Sequence, residues 1–309
     1  MQGFRNFTYP SCNGGEICAY RWEPIGSVRA VVQLVHGLSE YSARYDAFAQ
    51  FLSSQGFLVV SEDHMGHGRT ASLSGERGCF TGGWKAVVAD TYQLLEITRQ
   101  ENPDVPYFLF GHSMGSFIAR TILIDHPDCA IAGCILCGTT WQNEGLLDAG
   151  IRLCKRLCNK GKERLHSKFL MGLVFGPYSR RIEHLRTPLD WINRDPRVVQ
   201  ACISDPDYVL ELTVGLITDM LEGIFYIQQE ENLERMNPSI PVYFISGGDD
   251  PVGDYAEGVR KAANVFLEMN FLDVAVKIYP LCRHEILHEL NKSDVYADIF
   301  KWLKLHMTF

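Results

Sequence analysis

Residues 107–124 read YFLFGHSMGSFIARTILI. An apolar run, Tyr107–Phe110, leads into G-x-S-x-G at Gly111–Gly115, and a second, Met114–Ile124, leads out and ends before Pro127. Extended chain running into a sharp turn and then into a helix is the setting in which a serine is lifted past the end of a sheet. The glycines let strand and helix pass close by, and the turn holds Ser113 in a strained backbone conformation. The plain alternative is a strand–helix turn in which Ser113 only caps the helix. The unbroken apolar runs on both sides favour the strained elbow.

The same alternation extends outward in both directions. Phe4–Tyr9 and Glu16–Trp22 read as a hairpin across Asn13-Gly14-Gly15. Arg29–Val35, Phe57–Ser61 and Ala130–Leu136 read as buried strands, with helices over Ala43–Ser54, stopped at Gly56, and Trp84–Gln100 between them. After residue 140 the alternation stops, and 141–236 reads as helical with no strand. It resumes with strands at Val242–Ser246 and Val274–Tyr279 and helices at Tyr255–Met269 and Ser293–Met307. The fold class is therefore α/β: a mostly parallel sheet covered on both faces, with an inserted helical cap. Residues 1–140 and 237–309 are expected to form one core and 141–236 the cap, which accounts for the 309 residues without a second α/β domain.

A serine hydroxyl becomes nucleophilic only when a base removes its proton and a third group orients that base. In such folds the chain order is Ser, acid, His. Downstream of Ser113, the strand VYFIS ends in Gly247-Gly248-Asp249-Asp250-Pro251. Asp250 is the expected acid on the G-x-x-D-P spacing, and Asp249 is the alternative. The strand VAVKIY then leads to Cys282-Arg283-His284, which places His284 as base. Backbone N–H groups should receive the developing oxyanion. Met114 supplies one and Leu38, in the loop after an earlier strand, the other. His36, Gly37 and His112 are expected to border the substrate.

Composition narrows the partners. Twenty-nine Lys and Arg against 37 Asp and Glu leave a formal charge of −8, which disfavours general nucleic-acid binding. Apolar content of 46% is ample for a core and excludes disorder. No apolar run approaches the roughly 20 residues of a membrane-spanning helix. Met1–Cys12 lacks the pattern of a signal peptide, so the ten cysteines are expected to be reduced thiols in the cytoplasm. Two metal patterns compete with the serine reading. His284-Glu285-Ile286-Leu287-His288 matches H-E-x-x-H, but it follows a strand directly and lacks a downstream third ligand in a zinc-protease position. Cys134 and Cys137 lie three apart in a strand and should face opposite sides. Cys154 and Cys158 share a helical face and read as packing. His64 and His67 have no second ligand pair. No metal or cofactor is expected.

Taken together, HGLSEYSARY (36–45), DHMGHG (63–68), GHSMG (111–115), GGDDPVG (247–253) and RHEILHE (283–289) resemble the monoacylglycerol lipase and lysophospholipase branch of the α/β-hydrolase superfamily, a branch often grouped with serine aminopeptidases. TPLDWINRDPRVVQ (187–200) is similar to bacterial lysophospholipase-like members. The resemblance implies a Ser113–Asp250–His284 triad, an oxyanion hole at Leu38 and Met114, and a structural role for DHMGHG. A serine nucleophile in place of aspartate argues against dehalogenases and epoxide hydrolases. Tyr41 stands where these lipases often carry His, and Ser116 where many carry Gly. The activity implied is hydrolysis of a lipid or glyceride ester. A serine aminopeptidase of the same fold is the alternative, with a non-catalytic binding protein behind it.

The cap is electrically divided. Residues 152–186 hold ten basic side chains and two acidic ones, whereas 187–236 hold three basic and ten acidic. The basic run is expected to pair chiefly with the acidic half. The alternative is that a basic amphipathic helix, with Leu147, Ile151, Cys154 and Cys158 on one face, rests transiently on a membrane surface.

Overall fold

The computed structural model describes residues 4–307, so the outermost residues of the expected core, 1–3 and 308–309, lie outside the described residues. Among the described residues one sheet forms from β1 (Phe4–Pro10), β2 (Glu16–Trp22), β3 (Ala30–Val35), β4 (Phe57–Glu62), β5 (Tyr107–His112), β6 (Gly133–Cys137), β7 (Val242–Gly247) and β8 (Val274–Tyr279). The strand order is β1-β2-β4-β3-β5-β6-β7-β8. The β1–β2 and β2–β4 pairs are antiparallel, and from β4 to β8 every pair is parallel. This is an α/β-hydrolase fold. The parallel strands all end on one side, so the loops after β3, β5, β6, β7 and β8 gather there.

The helices are α1 (Asp46–Ser54), α2 (Gly68–Ser74), α3 (Gly83–Glu101), α4 (Met114–Asp125), α5 (Glu144–Cys158), α6 (Lys168–Phe175), α7 (Pro196–Ser204), α8 (Val214–Tyr226), α9 (Glu230–Leu233), α10 (Glu257–Glu268) and α11 (Lys292–Leu305). Period-two alternation sends each central strand's side chains to two buried layers. Val31, Leu58, Leu109 and Leu136 pack with residues of α3, α4 and α10. Val32, Val59, Phe110 and Ile135 pack with residues of α1 and α11. Cys134 joins the first layer and Cys137 the second, as the strand period requires.

Several boundaries differ from the sequence expectation. The strand expected from Ala130 begins at Gly133, because a turn closes first, with the Ile131 N–H on the Cys129 carbonyl at 2.8 Å. The helix expected at Ala43 opens as a 3-10 turn, Ser42–Tyr45, before α1. The helix expected at Tyr255 starts at Glu257, because Asp254, Tyr255 and Ala256 all have positive φ.

Between β6 and β7 the chain adds α5 to α9 and no strand to the sheet. The expected charge pairing within this insertion is only partly found. Of the ten basic residues in 152–186, Lys155 pairs with Glu222 at 2.6 Å and Arg186 with Asp190 at 3.3 Å. Arg152 instead pairs with Asp148 one turn earlier, and Arg164 reaches Glu76 outside the insertion. Arg181 lies over the Tyr255 ring. The pairing is limited because α5 packs against α8, which brings one acidic residue of the second half beside one basic residue of the first.

Candidate active site

Ser113 sits between β5 and α4 at φ 52° and ψ −120°, a conformation costing on the order of 1–3 kcal/mol. The glycines of the motif explain how the turn is tolerated. A Cβ on Gly111 would collide with the Gly115 carbonyl, and one on Gly115 with the Val35 carbonyl of β3. Hydrogen bonds hold the strained residue from both sides. Its N–H donates to the Cys137 carbonyl at 2.8 Å, and its carbonyl accepts from the Ser116 N–H at 2.8 Å and the Ser116 hydroxyl at 2.6 Å.

The loops after β7 and β8 bring Asp250 and His284 together. His284 Nδ1 lies 2.9 Å from Asp250 Oδ2. That oxygen also accepts from the Ser246 hydroxyl at 3.1 Å, while Oδ1 accepts the Val252 N–H at 2.9 Å. Asp250 is fully buried, whereas Asp249 is exposed, which separates the two sequence candidates geometrically. Gly138 lies against the His284 ring, since a Cβ there would stand 3.0 Å from its Cε1. The Trp191 ring lies 5.3 Å from the His284 ring, centre to centre.

A buried charge network adjoins these residues, and the sequence reading assigns no role to two of its members, Glu40 and Arg44. Glu40 Oε1 accepts from the Gly37 N–H, the Tyr45 hydroxyl and His112 Nδ1, each at 2.7 Å. Arg44 bridges Glu40 at 3.1 Å and grips both carboxylate oxygens of Glu285 at 2.7 Å. Burial opposes the charge on Glu40, but His112 and Arg44 hold its carboxyl well below the ordinary range. Burial likewise opposes charge on His112, yet the neighbouring Glu40 raises it above the usual histidine value. Because His112 Nε2 lies 3.3 Å from the His284 carbonyl, the network joins the loop after β3, the end of β5 and the loop after β8. The signal for it was the adjacency of Glu40 to HGLS and of Glu285 to His284.

The other expected site residues divide into two groups. Leu38, Ser113, His112 and His284 border one cavity of about 650 Å³. Met114 follows Ser113 at the start of α4, its side chain in the core and its N–H at the helix start. His36 and Gly37, also expected at the substrate, are not among the residues that border this cavity, and His36 is fully buried. His36 Nδ1–H donates to the Gly37 carbonyl at 2.8 Å, and Nε2 accepts the His64 N–H at 3.0 Å. Burial keeps its ring neutral, well below the usual histidine range. Gly37 is needed for close approach: a Cβ there would meet Glu40 Oε1 at 2.7 Å and Ser113 Cβ at 3.1 Å. The H-E-x-x-H residues have separate partners. His284 faces Asp250, Glu285 faces Arg44, and His288 Nε2 lies 2.9 Å from the Arg44 carbonyl.

The cavity is walled on one side by the strand-end loops and on the other by the insertion. Met171, Phe175, Tyr178, Leu185, Ile203, Leu210, Met220 and Ile224 make the latter wall largely apolar. The two carboxylates in the lining, Glu40 and Glu285, both belong to the Arg44 network.

The sequence model of the family described as Serine aminopeptidase, S33, matches residues 26–291. Monoglyceride lipase of Mus musculus is 36% identical over 292 residues, covering 93% of this chain and 86% of that protein. Monoacylglycerol lipase of Mycolicibacterium smegmatis is 26% identical over 288 residues, covering 93% and 92%. A crystal structure of a thermostable carboxyl esterase from Bacillus coagulans superposes with a TM-score of 0.92 at 33% identity, covering 100% of both chains. With a family match along most of its length and a full-length structural counterpart at one-third identity, the chain belongs to the serine aminopeptidase S33 family of the α/β-hydrolase superfamily.

Proposed function

We propose that the chain hydrolyses carboxylic esters through Ser113, His284 and Asp250, and that its substrate is a monoacylglycerol or lysophospholipid. The observation that carries the reading is the buried Asp250–His284 pair beside a strained Ser113 at the wall of an apolar cavity. Asp250 accepts from Nδ1 and leaves His284 Nε2 as the basic nitrogen. His284 takes the Ser113 proton as the hydroxyl attacks the ester carbonyl, and the N–H groups of Leu38 and Met114 receive the oxyanion. His284 then protonates the leaving alcohol, and water releases the acyl group by the reverse steps. The relatives named for monoglyceride substrates support the acylglycerol assignment.

Residues 141–236 act as a cap over the acyl group. The cap also rests transiently on membranes: Phe169 and Leu173 on α6 are 72% and 54% exposed, and the exposed Lys160, Lys162, Lys168 and Arg180 accompany them with no carboxylate partner among the described residues. Ten free thiols support a reducing compartment, the cytoplasm.

Against the aminopeptidase reading, both carboxylates of the cavity lining are already bound to Arg44, so neither is free to hold a substrate amine. The test is turnover of monoacylglycerol, lysophospholipid, p-nitrophenyl esters and aminoacyl anilides. We expect the esters to be cleaved and Ser113→Ala to lose about 10⁴-fold or more in kcat. Hydrolysis of the anilides alone, or a variant that keeps its ester turnover, would overturn the assignment.

A further inference from the structure

The loop that carries Leu38 is held from two directions. On the core side, the Gly37 N–H donates to Glu40. On the cap side, the next residue after Leu38 is strained: Ser39 has φ +70° without being glycine, a conformation that persists only where neighbours fix it. What fixes it is the cap turn 205–209. The Val209 N–H donates to the Ser39 carbonyl at 2.8 Å, and the Tyr41 hydroxyl donates to Asp205 Oδ2 at 2.5 Å. Asp205 spends its other oxygen on the turn itself, accepting the Asp207 N–H at 2.9 Å. Tyr41 is seated against Gly68, where an added Cβ would come within 2.8 Å of the Tyr41 Cβ. Burial and the neighbouring Asp205 raise the Tyr41 phenol, which keeps it a neutral donor.

We infer that Tyr41 and Asp205 form a latch through which the cap holds the Leu38 loop in its oxyanion-binding shape, making Tyr41 a positioning residue for the reaction. Cap and oxyanion loop are then one coupled unit: a cap that lifts releases both the Tyr41 and the Ser39 bonds and frees the strained segment beside Leu38. The inference rests on the proposed oxyanion role of Leu38. It predicts an effect even on substrates too small to touch the cap, which distinguishes it from a role in acyl binding.

The experiment compares wild type, Tyr41→Phe, Asp205→Ala and the double variant on p-nitrophenyl acetate, with Ser113→Ala alongside. Losing a whole oxyanion donor costs 10²–10³ in kcat, so a loosened one should cost about tenfold, with KM little changed. The double variant should be no slower than the slower single, because both remove one interaction. Affinity for phenylboronic acid, which mimics the tetrahedral adduct, should fall by the same factor in calorimetric titration of the folded protein. The latch is overturned if acetate turnover is unchanged and only the KM for long-chain monoacylglycerol rises, or if the two single losses multiply. Turnover surviving in Ser113→Ala would instead overturn the serine-hydrolase reading. An inactive Ser113→Ala beside an unaffected Tyr41→Phe removes the latch alone.

Discussion

The core wall of the cavity and its cap wall are built from opposite materials. On the core side, Asp250, Glu40, His112, His284 and Glu285 are each 5% exposed or less, and each is fixed by hydrogen bonds. On the cap side, α6 buries only Leu170, and the wall is largely apolar, with Gln142 and Ser179 among its few polar side chains. A proton relay needs heavy atoms held to fractions of an ångström, and satisfied buried polar networks supply that rigidity. An acyl chain needs only an apolar envelope that adapts to its shape. Under the proposed function, the division puts precision where the proton would move and tolerance where the acyl chain would lie.

The sharpest way to break this contrast is to cut an ion pair in each region. Arg44 and Glu285 are nearly buried, with side-chain exposures of 10% and 4%, whereas Lys155 and Glu222 in the cap are 57% and 38% exposed. Replacing one partner of a buried pair leaves the other charge uncompensated. We expect Glu285→Ala to lower unfolding free energy in urea by about 3–5 kcal/mol, the lower end if Glu40 takes over Arg44. Lys155→Ala should cost less than about 1 kcal/mol. Similar losses in the two variants would mean that the core network is no more structural than a surface pair.

The contrast also explains which parts of the site were legible in the sequence. The elbow was legible because every contact that builds it is local: Gly111, Ser113 and Gly115 are bounded by apolar runs with the right periods. Order along the chain then located Asp250 and His284, since parallel strands deliver their following loops to one edge. Local pattern ranked Asp250 above Asp249 by spacing alone, whereas facing inward depends on Ser246 and Val252 in the folded turn. Adjacency to HGLS and to His284 marks Glu40 and Glu285, but their joining through Arg44 was not legible, since Arg44 and Glu285 lie 241 positions apart. The same holds for Tyr41 and Asp205, 164 apart. Sequence adjacency to Leu38 suggests that His36 borders the substrate. Its ring instead faces the buried His64 loop, a direction that adjacency in sequence does not specify.

Carboxyl groups sharpen the comparison through pH. In the core, Arg44 outweighs burial and holds Glu285 below the ordinary range. In the cap, burial pushes Asp219 up to about 7, with Glu222 adding to the effect. A folded-state value above the unfolded one, near ~3.9, means that the folded chain binds more protons between those pH values. Asp219 therefore costs stability progressively as pH rises from about 4 to 7, and the cost is complete above that window. Asp219→Asn should raise unfolding free energy at pH 8 on the order of 1 kcal/mol and leave it nearly unchanged at pH 4. An equal gain at both pH values would show that Asp219 acts through packing and not through its charge.

The smallest expected change concerns the outer face of the cap. Phe169 and Leu173 project from α6, with the cations Lys168 and Arg180 nearby in the chain, and none of these four touches Ser113, Asp250 or His284 in the hydrogen-bonded site. Replacing both apolar residues with serine should leave stability within about 0.5 kcal/mol, as exposed substitutions usually do. Turnover of soluble p-nitrophenyl acetate should be unchanged, because the two side chains are separate from the Asp250–His284 pair and from the Tyr41–Asp205 contact. Binding to phosphatidylglycerol vesicles, measured by co-sedimentation, should fall several-fold as apolar insertion is lost. Binding of the unaltered protein should be weaker on phosphatidylcholine and should weaken further with added salt, since the cations contribute through screened attraction. Equal binding to neutral and anionic vesicles would remove the cations from the argument. Loss of acetate turnover in the serine variant would mean that the outer face of α6 is coupled to the site.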